Sequence, residues 1–124
     1  MKAIAGLMSV SLAVGIVLSA NAPAQTKGDA KAGKSKYEAM CVGCHGATGK
    51  GDGPAASSLN PKPADLSDPA YVQSLSDRYL FQIIKDGGSK VNKSPLMPGW
   101  AGALNDQDIW NVIAYLKTLS KAAR

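Results

Sequence analysis

Cys41-Val42-Gly43-Cys44-His45 decides how the rest of the chain is read. Cys-x-x-Cys-His is the attachment pattern of a c-type haem: two thiols add to the vinyl groups of the macrocycle, and the adjacent imidazole becomes an axial ligand of the iron. The two intervening residues let Cys41 and Cys44 meet one edge of the ring while His45 turns beneath its face. Three other uses of these residues fit less well. A thioredoxin-like thiol pair sits between a strand and a helix, and no strand-rich run precedes Cys41. A structural zinc site takes four ligands, usually Cys or His; with 2 Cys and 1 His, the fourth here would have to be a carboxylate. A disulfide between the two thiols would close too short a loop to stabilise much. One haem c, covalent through Cys41 and Cys44, is therefore the expectation.

Residues 1–24 read as a leader that would export the domain in residues 25–124. Met1-Lys2 is followed by an uncharged stretch from Ala3 to Ala20, and Ala22-Pro23-Ala24 offers a small-residue cleavage pattern ending before Gln25. The apolar core from Ile4 to Leu18 has the length of a signal h-region and is short for a membrane span. The alternative is an uncleaved N-terminal anchor. Export suits a c-type haem, which bacteria attach outside the cytoplasmic membrane, so a periplasmic location is expected. Cleavage removes only Lys2 from the 14 Lys and Arg, leaving 13 against 9 Asp and Glu, a formal +4. That charge is too small and dispersed to argue for nucleic acid. With one Phe and 13 Gly, the chain has a thin core of its own, which a bound macrocycle would complete.

Downstream, the spacing predicts a helix over Gly28–Glu38 with Asp29 near its start, complementing the dipole. Gly33 within it costs about 1 kcal/mol relative to Ala, unless another backbone or ring must come close there. Residues 46–54 are too rich in turn formers for a regular element, and Asn60–Leu66 reads as a proline-stiffened loop. Asp68-Pro69 starts a short turn of helix. Ser76 caps a helix from Asp77 to about Asp86, whose Leu80, Phe81, Ile83 and Ile84 cluster on one side before Gly87-Gly88 end it. Asn105 and Asp108 form a capping box for the last helix, where Ile109, Val112, Ile113 and Leu116 recur with helical spacing.

Two residues complete the candidate site. Pro54 lies within chain reach of His45, and its carbonyl is a candidate acceptor for the second ring N–H that metal-bound histidines usually donate. Met97, in Ser94-Pro95-Leu96-Met97-Pro98, stands in a loop between prolines where neither helix nor strand would run. Without the leader only Met40 and Met97 remain, and Met40 is joined directly to Cys41. There is no second His, so Met97 is the natural sixth ligand opposite His45. The other reading leaves Met97 as a surface methionine, with water or nothing at the iron.

These motifs make the chain resemble a small class I c-type cytochrome, over roughly residues 28–120. The resemblance is carried by the 41–45 box, the Gly53-Pro54 loop, the Met97-Pro98 loop and the Ile113-Ala114-Tyr115-Leu116 helix. It implies an all-α fold, three main helices and a short one wrapped around one haem, with the first and last helices crossing at a glycine. Gly33 and Tyr37 should then meet Val112 and Tyr115, and the family's proline carbonyl on the axial histidine falls on Pro54. The shorter loops and the Asn60–Leu66 segment depart from the mitochondrial form and point to a bacterial carrier. They leave the propionate contacts open among Tyr71, Arg78 and Trp100.

The implied function is one-electron transfer between transient redox-protein partners rather than catalysis. Lys50, Lys62, Lys90 and Lys93 would either steer an acidic partner or be ordinary solvated lysines. Two alternatives keep the haem: a subunit of a larger dehydrogenase or oxidase, and a peroxidase or gas-binding protein with a displaceable Met97.

Overall fold

Short polar side chains start the helices, as their positions suggest. In the computed structural model, which describes residues 26–122, α1 spans Ala30–Met40. The Asp29 carboxylate accepts from the backbone N–H groups of Lys31 and Ala32, at 2.8 and 3.1 Å, and satisfies two of the helix's free donors. The leader expected over residues 1–24 lies outside the described residues. A four-residue helix, α2, covers Val42–His45, so the Cys-x-x-Cys-His box itself is wound into one turn.

After a long loop come α3 at Pro69–Ser74, capped by Asp68, and α4 at Asp77–Asp86, capped by the Ser76 hydroxyl. The last helix, α5, spans Asp106–Ala122. Its capping box is reciprocal: Asp108 N–H donates to Asn105 Oδ1 at 2.8 Å, and Asn105 N–H to Asp108 Oδ2 at 3.3 Å. Among the described residues the fold is all-α, as expected, with α1, α4 and α5 as the long helices and two short ones between, one more than expected. None of the helices described is long and apolar enough to cross a membrane.

The scaffold is the packing of α1 on α5. A Cβ on Gly33 would overlap the Asn111 carbonyl, so the two backbones touch at a point only glycine permits. One turn later Tyr37 is fully buried, its ring tilted against Tyr115 with centroids 5.3 Å apart. Tyr37 meets Tyr115 as expected, and Gly33 meets the peptide joining Asn111 to the expected Val112. Ile109, Val112, Ile113 and Leu116 are all buried along the same helix, each worth roughly 1.5–3 kcal/mol of apolar burial.

Asn111 is a buried polar residue in that seam. Its Oδ1 accepts from the Asp29 N–H at 2.8 Å and from Gln107 Nε2 at 3.0 Å, so its burial leaves no oxygen unpaired. The α4 helix closes on α5 through the Phe81–Trp110 ring pair at 4.7 Å and the Lys85–Asp106 ion pair at 2.8 Å. Its other apolar residues, Leu80, Ile83 and Ile84, turn toward a cavity.

Candidate haem site

The cavity encloses about 300 Å³ between α2, α4 and the loops at 59–66 and 93–100. Cys41, Cys44 and His45 line it from the Cys-x-x-Cys-His turn, and Met97 lines it from the 93–100 loop. The walls between are apolar: Leu59, Pro61, Pro63 and Leu66 from one loop, Leu75 from the end of α3, and Leu80, Ile83 and Ile84 from α4. The floor is Leu116 of α5.

The box is held by backbone hydrogen bonds at every step. Gly46 leaves α2 with φ +80°, and the chain turns back over its own carbonyls. Gly51 N–H donates to the His45 carbonyl at 2.9 Å, Gly53 N–H to Cys44 at 3.2 Å, and Ala55 N–H to Gly43 at 2.9 Å. A Cβ on Gly53 would overlap the Val42 and Gly43 carbonyls, so the Gly-rich run after His45 is what lets the loop lie against the box.

The Cys41 thiol is not held as a thiolate. Burial, and then the neighbouring Cys44, push the Cys41 thiol up to about 11, whereas a reactive cysteine is held as thiolate by a lowered pKa. Burial also lowers the His45 pKa, against a smaller opposing effect from the backbone of Ala64. The imidazole is thus kept neutral, the form that binds a metal. Among the described residues, no three His, Cys, Asp or Glu side chains come together to hold a bare metal ion.

Pro54 does not take the role expected of it. It is exposed and does not line the cavity. His45 Nδ1 is buried with no hydrogen-bond partner, so the bond expected from it to the Pro54 carbonyl is not formed. The backbone acting on the ring is that of Ala64, though short of full hydrogen-bonding geometry at Nδ1. The physical reason lies in the chain path: the 46–53 loop carries Pro54 outward, while Leu66 N–H donates to the Gly49 carbonyl at 2.6 Å and brings residues 63–66 over the box.

The Met97 loop is fastened to the C-terminal end of α4. Gly88 N–H donates to the Met97 carbonyl at 3.0 Å, Trp100 N–H to Ile84 at 2.9 Å, and Ala101 N–H to Lys85 at 3.1 Å. Gly87, at φ +89°, packs against the Gly99 backbone, where a Cβ would crowd it. Of the propionate candidates, Tyr71 and Trp100 line the cavity, whereas Arg78 is exposed on α4 and does not. Lys62 and Lys93 also line it; Lys50 and Lys90 are exposed away from the lining.

Two thiols beside an imidazole and a thioether from a separate loop line one largely apolar cavity, and these residues would fit a haem. The comparisons agree. A family model described as cytochrome C oxidase, cbb3-type, subunit III matches residues 28–116. Cytochrome c-554(547) of Halothiobacillus neapolitanus is 34% identical over 97 residues, covering 74% of this chain and 98% of that protein. Cytochrome c-554(548) of Halomonas halodenitrificans is 35% identical over 88 residues, covering 71% and 93%.

Among solved structures, the c-type cytochrome KustC0563 agrees in fold, with TM-score 0.58 and 17% identity over 70% of this chain and 95% of its own. A chain of the Kuenenia stuttgartiensis reducing HAO-like protein complex matches with TM-score 0.59 and 26% identity, over 76% of this chain and 44% of that one. With the Cys-x-x-Cys-His box, the helical fold and these relatives in agreement, the chain belongs to the c-type cytochrome family.

Proposed function

We propose that this protein is a periplasmic one-electron carrier with a single haem c, bound covalently through Cys41 and Cys44 and ligated by His45 and Met97. The observation that supports the proposal is that Cys41, Cys44 and His45, neighbours in sequence, and Met97, far along the chain, line one largely apolar cavity. When bound, the haem supplies an iron that takes up and gives back one electron.

The chain's own residues do the rest. The thioether of Met97 favours the reduced ion, and the surrounding leucines and isoleucines disfavour the extra charge of the oxidised one, so both raise the potential. With His45 and Met97 both holding the iron, no position would remain there for a substrate. The backbone bonds on either side of the cavity keep the two ligands in one arrangement, which lowers the reorganisation that accompanies electron transfer. Lys62 and Lys93, at the cavity, provide positive charge for an acidic redox partner meeting the protein through a small transient interface. The bimolecular rate should then fall with salt, because a Debye length of about 8 Å at physiological ionic strength screens such steering. A salt-independent rate would remove the lysines from the account.

A second reading, as the haem subunit of a larger complex, is favoured by the subunit III description of the family match and by the likeness to a chain of a protein complex. Size-exclusion of native extract separates the two. The carrier itself is tested by expression in a host able to mature c-type cytochromes. The denatured chain should keep one haem by mass and by its pyridine haemochrome spectrum, and Cys41→Ala/Cys44→Ala should lose it. A folded but colourless wild-type protein would overturn the proposal.

A further inference from the structure

The ring of Tyr37 packs the α1–α5 seam; its hydroxyl has a separate place in the fold. It donates to the Gly46 carbonyl at 2.7 Å in a buried hydrogen bond, joining α1 to the residue that directly follows His45. The carbonyls of the box show what this bond adds. Cys41 accepts from Cys44 and His45, Val42 from Gly46, Gly43 from Ala55, Cys44 from Gly53, and His45 from Gly51, all from backbone N–H groups. Gly46 accepts one backbone donor, Gly49 at 3.2 Å, and the Tyr37 hydroxyl at 2.7 Å. Among the described residues, Tyr37 is the one side chain that donates a hydrogen bond to a carbonyl of this run.

The phenol is suited to the task. Tyr37 is fully buried, and burial raises its pKa, so the hydroxyl stays a donor throughout the working range. Its ring is wedged against Tyr115 on α5, and four residues earlier Gly33 lets α1 touch the α5 backbone. The hydroxyl is therefore fixed to the least yielding part of the molecule. At the ring itself the backbone of Ala64 acts on His45 short of full hydrogen-bonding geometry at Nδ1, so the peptide that leaves His45 has a share in orienting it.

We propose that the Tyr37 hydroxyl is a positioning group for the axial ligand: by clamping the Gly46 carbonyl to the α1–α5 scaffold, it fixes the peptide leaving His45 and, through it, the orientation of the imidazole. This rests on the proposed role of His45 as an axial ligand. Tyr37 touches neither the iron nor a partner, and its part in electron transfer is exerted through His45.

The test is Tyr37→Phe in the haem-loaded protein, which keeps the ring and removes only the donor, alongside Tyr115→Phe, which removes the hydroxyl of the neighbouring ring. In Tyr37→Phe, the amides of Gly49 and Gly51 should exchange with solvent about five- to tenfold faster, while those of α5 change little. The spread of the ferric haem-methyl NMR shifts, which reports the plane of the axial imidazole, should change, and the reduction potential should move with it. Tyr115→Phe should leave all three as in wild type.

Unchanged methyl shifts and potential in Tyr37→Phe, or the same changes in both variants, would overturn the inference. Should Tyr37→Phe not accumulate, the wild-type ferrous protein serves instead: a slowly exchanging phenolic proton near Gly46 is expected, and a rapidly exchanging one would overturn the inference. A wild-type chain that carries no haem would defeat the functional proposal itself, an outcome distinct from either.

Discussion

Two helices of this protein end on the same backbone device, next to what we propose are its two axial ligands. α2 ends after His45 at Gly46, with φ +80° and ψ 160°, and α4 ends at Gly87, with φ +89° and ψ 169°, ahead of the loop that carries Met97. Only glycine occupies that region readily. The two glycines lead into differently anchored segments. Beyond Gly46 the chain folds back over its own helix, its carbonyls are bonded one after another, and a buried tyrosine ties it to the α1–α5 core. Beyond Gly87 the loop is fastened by backbone bonds to the last turn of α4 and to Gly88, and it exposes Pro95, Leu96 and Pro98. One side of the site is part of the scaffold and the other is a strap laid across it. Loss of a ligand should therefore begin at Met97, with His45 staying in place.

The largest effect is expected where the histidine side is founded. Gly33→Val would drive a side chain into the Asn111 carbonyl, costing about 3 kcal/mol in denaturant unfolding. Because α1 carries Tyr37, the variant should also lose the slow exchange of the 46–51 loop. Unaltered stability would show that α1 does not bear on α5 as described.

A smaller effect is expected on the strap. Gly87→Ala places a Cβ in a glycine-only conformation, at a cost of about 1–3 kcal/mol. It should release the thioether at a lower denaturant concentration than that needed to unfold α5, observed as loss of the ferric sulfur-to-iron band before loss of far-UV helicity. If both signals disappeared together, the two sides would be equally bound to the core.

The smallest effect concerns Asp65, in the segment that closes over the histidine side. The Ser67 hydroxyl and backbone N–H hold its carboxylate below the usual range. A depressed folded pKa stabilises the protein above the ordinary value of about 4, and that contribution is lost as pH falls through the lower folded value. Asp65→Asn should slightly flatten the acid limb of stability against pH, measured by thermal unfolding at a series of pH values, and leave stability above that limb's onset insensitive to pH at this site.

What could be read from the chain alone was what neighbours in sequence decide. The haem box is five contiguous residues, the α5 cap is closed by residues three apart, and Gly33 marked a close approach because a helix otherwise has no use for it. The error at Pro54 has the opposite character. Several carbonyls lie within chain reach of His45, and choosing among them depends on the Leu66–Gly49 bond that folds residues 63–66 over the box, a contact with no local signature. The α2 turn was missed because Val-Gly-Cys-His carries neither helical periodicity nor propensity. The Tyr37 hydroxyl was missed because the tyrosine was already explained by its ring. Leu80, Ile83 and Ile84 were recognised as an apolar core face; Leu80 and Ile84 are in the core, and that the same face also lines the cavity is set by the loops beside it.

The account stands or falls on a thioether meeting the iron from the Met97 strap. The ferric visible spectrum of the purified holoprotein, compared with that of Met97→Ala, is the direct measurement. The wild type should show the weak long-wavelength charge-transfer band of sulfur-ligated haem and should not bind CO when reduced. Met97→Ala should keep its covalent haem, lose the band, bind CO and fall in potential. A wild-type spectrum without the band at neutral pH, or a band that survives in Met97→Ala, would contradict the account.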